Sequence, residues 1–416
     1  MTPAIASVIV VAVIAVAGCE NAVLRPTHTA TRLAFTVQPV NVSANQAMTP
    51  AVLVTVQDDG GNTIADFPGS VTVSLSANPA GGTLSGTVSR AVSIGTATFS
   101  DLSIDRAGSG YTLVASALGL DAALSAEFTV SCVTNCWTAQ APLSTRRTFS
   151  GIGALNGRLY AVGGLASGAR AATVEAYDPV TNTWSTRAPL PTPRSGLGVG
   201  VLNGILYAVG GSPSGADATG IVEAYDPTTN TWTAKASLPT ARVGLGVAVA
   251  NGRLYAIGGT AQNGRDTAVV EAYDPISNTW ATMAPMRVAR SSLGAAVTNG
   301  VIYVFGGETS GSPRATVEAY DPGADVWTSK ALMPTARSGL GAATVNGAIY
   351  TVGGSGNGIR ATVERYDPAS NTWASGAPML TARVLLAVGE LNGTLYATGG
   401  STAGVPFLDT NEAYQP

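Results

Sequence analysis

The chain has 416 residues, enough for two or three domains at about 150 residues each. Only 11% of its residues are charged, the net charge is −3 and no basic run occurs, so a nucleic-acid binder is excluded. With 45% apolar residues the chain is not disordered, and its short alternating runs of Val, Thr and Ser point to an all-β protein.

The first element is the apolar run "AIASVIVVAVIAVAG" at 4–18. It is short for a membrane span of about 20 residues and suits the apolar region of a signal peptide, expected over 1–18. The preceding "MTPA" has no Lys or Arg, a departure from the usual positive start. The run ends in "VAGCE", which resembles a bacterial lipobox. That resemblance implies cleavage before Cys19 and a lipid on Cys19. It also implies a place in the bacterial cell envelope, with membrane contact through the anchor only. Residues 19–32 read as a polar tether. Two cysteines remain, Cys132 and Cys136, and in an oxidising compartment they are expected to bridge. A metal site there would need further ligands, and the one histidine, His28, lies near the tether. No metal and no cofactor are expected.

From "LAFTVQP" (33–39) to "AEFTVSC" (126–132) come about seven short strands separated by turn clusters. In "SVTVSLS" (70–76), Val71, Val73 and Leu75 share one face and Thr72, Ser74 and Ser76 the other, the pattern of a half-buried antiparallel strand. "DDGGNT" (58–63) is turn chemistry. About seven strands in roughly a hundred residues suggest an immunoglobulin-like sandwich over 33–132. The runs "PAVLVTVQDDGGNTI", "GSVTVSLS", "GTATFSDLSID" and "GYTLVAS" resemble bacterial Ig-like repeats, a resemblance that implies a spacer.

From 137 the chain is periodic. Double glycines fall at 163, 210, 258, 306, 353 and 399; Asn-Gly at 156, 203, 251, 299, 346 and 392; Glu-x-Tyr at 175, 223, 271, 318, 364 and 412; Trp at 137, 184, 232, 280, 327 and 373. A period of 46–48 residues is a propeller signature. Each unit reads as four strands: a small glycine-rich one such as "SGLGVGVL", a hairpin through Asn-Gly, then "ILYAVGG", "IVEAYDP" and a Trp strand. The array resembles the kelch repeat family, which implies a six-bladed β-propeller over 137–416. The last unit stops at Pro416 without a Trp strand, and Trp137 stands without the Tyr-Asp-Pro lead-in of the other five. The N-terminal Trp strand is therefore expected to close the final blade, with Trp137 beside the strand of Tyr414, which removes exposed edges.

The loops after the double glycines share one face with the loops that end at Arg. Variable loops on a constant scaffold are where recognition is expected. Candidate ligand residues there are Arg170, Asp217, Arg265, Asp266, Glu308, Arg314 and Arg360, with Asp409 in the same loops. A second set, Arg147, Arg194, Arg242, Arg290, Arg337 and Arg383, sits nine residues before each Asn-Gly. Six-fold placement sets these near the channel mouth. In the kelch family this position often lines the binding face, although a feature of every repeat is also what scaffold looks like. There is no nucleophile elbow and no phosphate loop. The propeller has no His, which excludes a galactose-oxidase-like copper site. The expected function is binding of a protein or glycan ligand by a monomer. The alternatives are a carbohydrate-active enzyme, such as a sialic-acid isomerase-like one on the same face, and a structural envelope protein.

Overall fold

A computed structural model describes residues 29–215 and 217–416; Cys19, His28 and the signal segment lie outside the described residues. The described residues contain strands and turns and no helix.

Residues 32–131 form short sheets, antiparallel except where Val42–Ser43 pairs parallel with Phe128–Ser131, around one core that includes Val52, Val54, Val71, Val73, Phe99, Tyr111 and Leu113. Strand Ser70–Leu75 alternates as its sequence dictates: Val71 and Val73 are buried and Thr72 and Ser74 exposed. In the 58–63 turn, Asp58 Oδ1 accepts the Asn62 backbone N–H at 2.8 Å.

The rest of the chain forms six four-stranded antiparallel sheets, each with its strands in the order expected of a repeat. The first runs Gly151–Leu155, Arg158–Val162, Val174–Asp178, Thr183–Thr186. The four that follow repeat this order with innermost strands Gly198–Leu202, Gly246–Ala250, Gly294–Thr298 and Gly341–Val345. The sixth takes Ala387–Leu391, Thr394–Thr398 and Asn411–Gln415 from the end of the chain and Cys136–Gln140 from before the first sheet. Trp137 lies opposite Tyr414, with ring centroids 5.1 Å apart.

The Asn-Gly turns have positive φ at both residues, 51° and 73° at Asn156 and Gly157, which fits a type I′ hairpin. The innermost strands are small because they touch. A Cβ on Gly198 would lie 2.2 Å from Val247, and one on Gly341 equally close to Val388. The series returns on itself, since Gly389 faces Leu159 and Ile152 of the first sheet. A second ring runs through backbone amides. Gly196 N–H donates to Phe149 O, Gly244 to Gly196, Ser292 to Gly244, Gly339 to Ser292, Leu385 to Gly339 and Phe149 to Leu385, all at 2.8–2.9 Å. Six residues, one from each sheet, thus form a closed cycle of hydrogen bonds.

Trp137 lacks the Tyr-Asp-Pro segment but keeps the residue two positions before it. In the other sheets an Asn or Asp with positive φ precedes Trp by two residues, and its Oδ1 accepts the repeat tyrosine hydroxyl and a backbone N–H of the preceding unit. Asn135 does the same, with φ 51°, accepting Tyr414 OH at 2.7 Å and Ala377 N–H at 2.8 Å. Burial pushes the repeat tyrosine pKa values up, so these hydroxyls stay protonated donors. "VTNCW" at 133–137 is the counterpart of "VTNTW" at 180–184, and the strand starts at Cys136 rather than 137.

Cys132 and Cys136 are disulfide-bonded, and the bond lies where the two parts meet. Cys136 packs into the core of residues 33–132 while its strand belongs to the sixth sheet. Nearby, Arg106 Nη1 donates to Leu380 O at 3.1 Å.

Candidate ligand-binding face

The double glycines redirect the chain at the top of every sheet; Gly258 and Gly259 have φ 61° and 98°, conformations that a side chain disfavours. The first glycine's carbonyl accepts from the repeat arginine in five of the six sheets, while Arg194 donates to Ala208 O instead. Arg242 Nη1 donates to Gly258 O at 3.0 Å and Val269 O at 2.7 Å, and Nη2 donates to Glu271 Oε2 at 2.7 Å. Arg194, Arg290, Arg337 and Arg383 pair with Glu223, Glu318, Glu364 and Glu412 in the same way, and Arg147 with Glu175. Burial drives the guanidinium pKa values down, and the paired carboxylates of Glu223, Glu271 and Glu318 offset part of that shift.

This corrects one expectation. All six arginine side chains are 0% exposed, so Arg147, Arg194, Arg242, Arg290, Arg337 and Arg383 have no surface to offer a ligand. A buried guanidinium needs its partners inside the protein, and here the repeat Glu and the loop carbonyls supply them.

The loop candidates divide. Arg170, half-buried, donates through Nη2 to Gly215 O of the next loop. Asp217 accepts from Ser214 Oγ at 3.0 Å. Asp266 accepts Thr260 Oγ1 at 3.1 Å and, from the following loop, Ser310 N–H at 2.8 Å. Arg170 and Asp266 stitch neighbouring loops together, and Asp217 braces its own loop. Arg265 and Arg314 are exposed, and Arg360 and Glu308 are half-buried. Arg146 pairs with Asp409 at 3.0 Å. Among the described residues no cluster of three or more His, Cys, Asp or Glu could hold a metal.

All six sheets contribute to one cavity of about 120 Å³ at the channel mouth, around the hydrogen-bonded cycle. Leu197, Leu245, Leu293, Leu340 and Leu386 line it, with Phe149 and Leu385. The six residues of the cycle all have positive φ, between 52° and 65°. Three are glycine and one is Ser292, whose Oγ lies 3.5 Å from Glu308 Oε1. The other two are Phe149 and Leu385, at φ 59° and 55°. A bulky residue in this region is an outlier costing about 1–2 kcal/mol. The Phe149 ring overlies Gly196, 2.6 Å from where its Cβ would be, and extends toward Gly244. Leu385 similarly overlies Gly339. Reading the sequence for charges missed both residues, yet a signal was present. They interrupt the register in which Gly196, Gly244 and Gly339 stand two residues after the repeat Arg.

Residues 146–191 and 193–239 match the kelch motif, and residues 233–400 match the KLHDC2/KLHL20/DRC7 Kelch-repeats domain. The solved structure of YjhT is similar, with a TM-score of 0.59 at 18% identity, over 66% of this chain and 96% of that one. At that identity the likeness speaks for fold alone. No curated protein matches the sequence. Between residues 146 and 400, then, the chain is an array of kelch repeats on an all-β, propeller-like scaffold.

Proposed function

We propose that this is an exported, lipid-anchored binding protein of the bacterial envelope. Its head is a six-bladed propeller closed by the Trp137 strand, carried on an Ig-like spacer and tethered through Cys19. The sequence of the apolar run and "VAGCE" supports the anchor, and the Cys132–Cys136 bond is consistent with an oxidising compartment. The ligand, a protein or glycan, meets the channel mouth and its surrounding loops.

The observation that carries this reading is the pair of bulky residues, Phe149 and Leu385, in backbone conformations that suit glycine. Strain of this kind persists where the surroundings impose it, and it concentrates at ligand sites. Here it sets an apolar platform at the centre of the face, with Ser292 in the same cycle and Glu308 beside it. Such a site suits a ligand with one apolar face and polar edges.

Glycan-array and pull-down screening of the full-length chain identifies the ligand, and the double variant Phe149→Gly/Leu385→Gly then tests the site. Stability is expected to change by less than about 1 kcal/mol, because relief of strain offsets the lost contacts. Affinity is expected to fall about ten-fold or more, since burying an aromatic or leucine side chain contributes roughly 1.5–3 kcal/mol. Undiminished affinity in the folded variant would remove the mouth as the site.

A further inference from the structure

Five of the six seams between neighbouring sheets are sealed by the same four apolar side chains. Two are cross-strand partners, Val162 and Val174 in the first sheet, and the same register holds for Val209 and Val222, Ile257 and Val270, Phe305 and Val317, Val352 and Val363. The third is the Leu or Met that follows each Trp strand: Leu190, Leu238, Met286, Met333 or Met379. The fourth is a leucine of the next sheet: Leu197, Leu245, Leu293, Leu340 or Leu386. Each quartet falls within one continuous apolar cluster.

The seam between the sixth and first sheets departs from this. The cross-strand partners are Thr398 and Asn411, and the leucine position is Ser150; only Leu143 keeps its apolar character. Leu143 lies outside the apolar cluster at this seam, which holds Leu159, Tyr177, Leu391, Tyr396 and Ala413. Thr398 is 0% exposed and Asn411 1%. Thr398 Oγ1, Asn411 Oδ1 and Ser150 Oγ are all buried without a hydrogen-bond partner among the described residues. Asn411 Nδ2 is engaged, donating to Ala141 O at 3.3 Å. The space is visible from the glycines. A Cβ on Gly163, Gly210, Gly258, Gly306 or Gly353 would meet the next sheet's leucine at 2.9–3.3 Å, whereas the three nearest atoms to one on Gly399 all belong to Arg147.

We infer that this seam is a built site for a buried water molecule held by Ser150, Thr398 and Asn411. Stranding a buried hydroxyl or amide oxygen is costly, and here three of them occupy positions that are apolar in the other five seams. Ser150 has two methyl groups fewer than leucine, which leaves room for about one water at roughly 30 Å³. Three polar partners is the usual number for such a water. The same serine is the one break in the leucine wall formed by Leu197, Leu245, Leu293, Leu340 and Leu386, so the site gives that wall one distinct side.

The test is the sign of one substitution in the full-length chain, read as the midpoint of denaturant unfolding. Ser150→Leu restores the side chain of the other five seams. With a water in place it expels that water and strands Thr398 and Asn411, so the midpoint is expected to fall, with about a ten-fold or larger loss in the folding equilibrium. The triple variant Ser150→Leu/Thr398→Val/Asn411→Val rebuilds a dry seam and is expected to recover or exceed the parent midpoint. A rise for Ser150→Leu alone means a merely underfilled seam and overturns the inference. If that variant does not fold, a high-resolution crystal structure of the parent chain decides: solvent density within hydrogen-bond distance of all three oxygens upholds the site, and its absence overturns it.

Discussion

Substituting alanine for Trp137 is expected to destabilise the repeat array by about 3–5 kcal/mol, the range for deleting a buried aromatic side chain. Trp137 is 2% exposed, packs among Val352, Val363 and Met379, and donates through Nε1 to Ala377 O at 2.9 Å. Trp184 makes the equivalent bond, to Ala141 O at 2.8 Å, but is only half-buried. Its alanine variant should therefore cost less. Position in the chain widens the difference. The strand Cys136–Gln140 pairs with residues 411–415, some 275 residues away, and it is the outer strand that unites the two ends of the array. Weakening it opens a sheet whose loop-closure entropy was already large, while a strand such as Thr183–Thr186 remains held by its short turn. Urea unfolding of the two variants followed by circular dichroism compares them directly. An equal or smaller loss for Trp137→Ala would show that the strand from before the first sheet contributes no special closure.

The strands were legible in the sequence because their physical causes are local. Asn-Gly reports a turn, double glycine reports positive φ, and alternation such as Val71-Thr72-Val73 reports a face. The fate of the repeat arginines was legible only as two alternatives, ligand contact or scaffold, and the structure selects scaffold. Whether a guanidinium faces solvent or a carboxylate depends on where a glutamate 28 residues on, as from Arg290 to Glu318, is carried by the intervening hairpin. The mouth was not legible. Phe149, Leu385, Ser150, Thr398 and Asn411 carry no charge, and each is informative only as a departure from its repeat position. Aligning the six units against one another, rather than searching for titratable groups, would have exposed all five, and would also have shown that "VTNCW" begins a regular strand.

Loss of the carboxylate in Glu271→Ala is expected to cost about 3–5 kcal/mol, because it leaves Arg242 buried without its counter-charge. Arg242 is 0% exposed and Glu271 is 2% exposed, and Thr240 Oγ1 donates to the second carboxylate oxygen at 2.9 Å. The surface pair Arg253–Asp274, at 3.5 Å and 46% and 32% exposed, is the control, and Asp274→Ala should cost at most about 1 kcal/mol for the pair. Glu271→Gln should fall between, keeping an acceptor while removing the charge. The double variant Arg242→Met/Glu271→Met separates two roles. For an ordinary buried ion pair, apolar replacement of both partners is often neutral. Here the guanidinium also donates to Gly258 O, Val269 O, Ala256 O and Thr240 O; methionine would remove those donors, and although Val269 O keeps the Gly258 N–H, Gly258 O would be left without its arginine donor. The double variant is therefore expected to stay destabilised, and recovery to the parent stability would show that the arginines serve only to neutralise glutamate. A persistent loss identifies them as the caps that hold the double-glycine turns, and through those turns the loops of the binding face, in place.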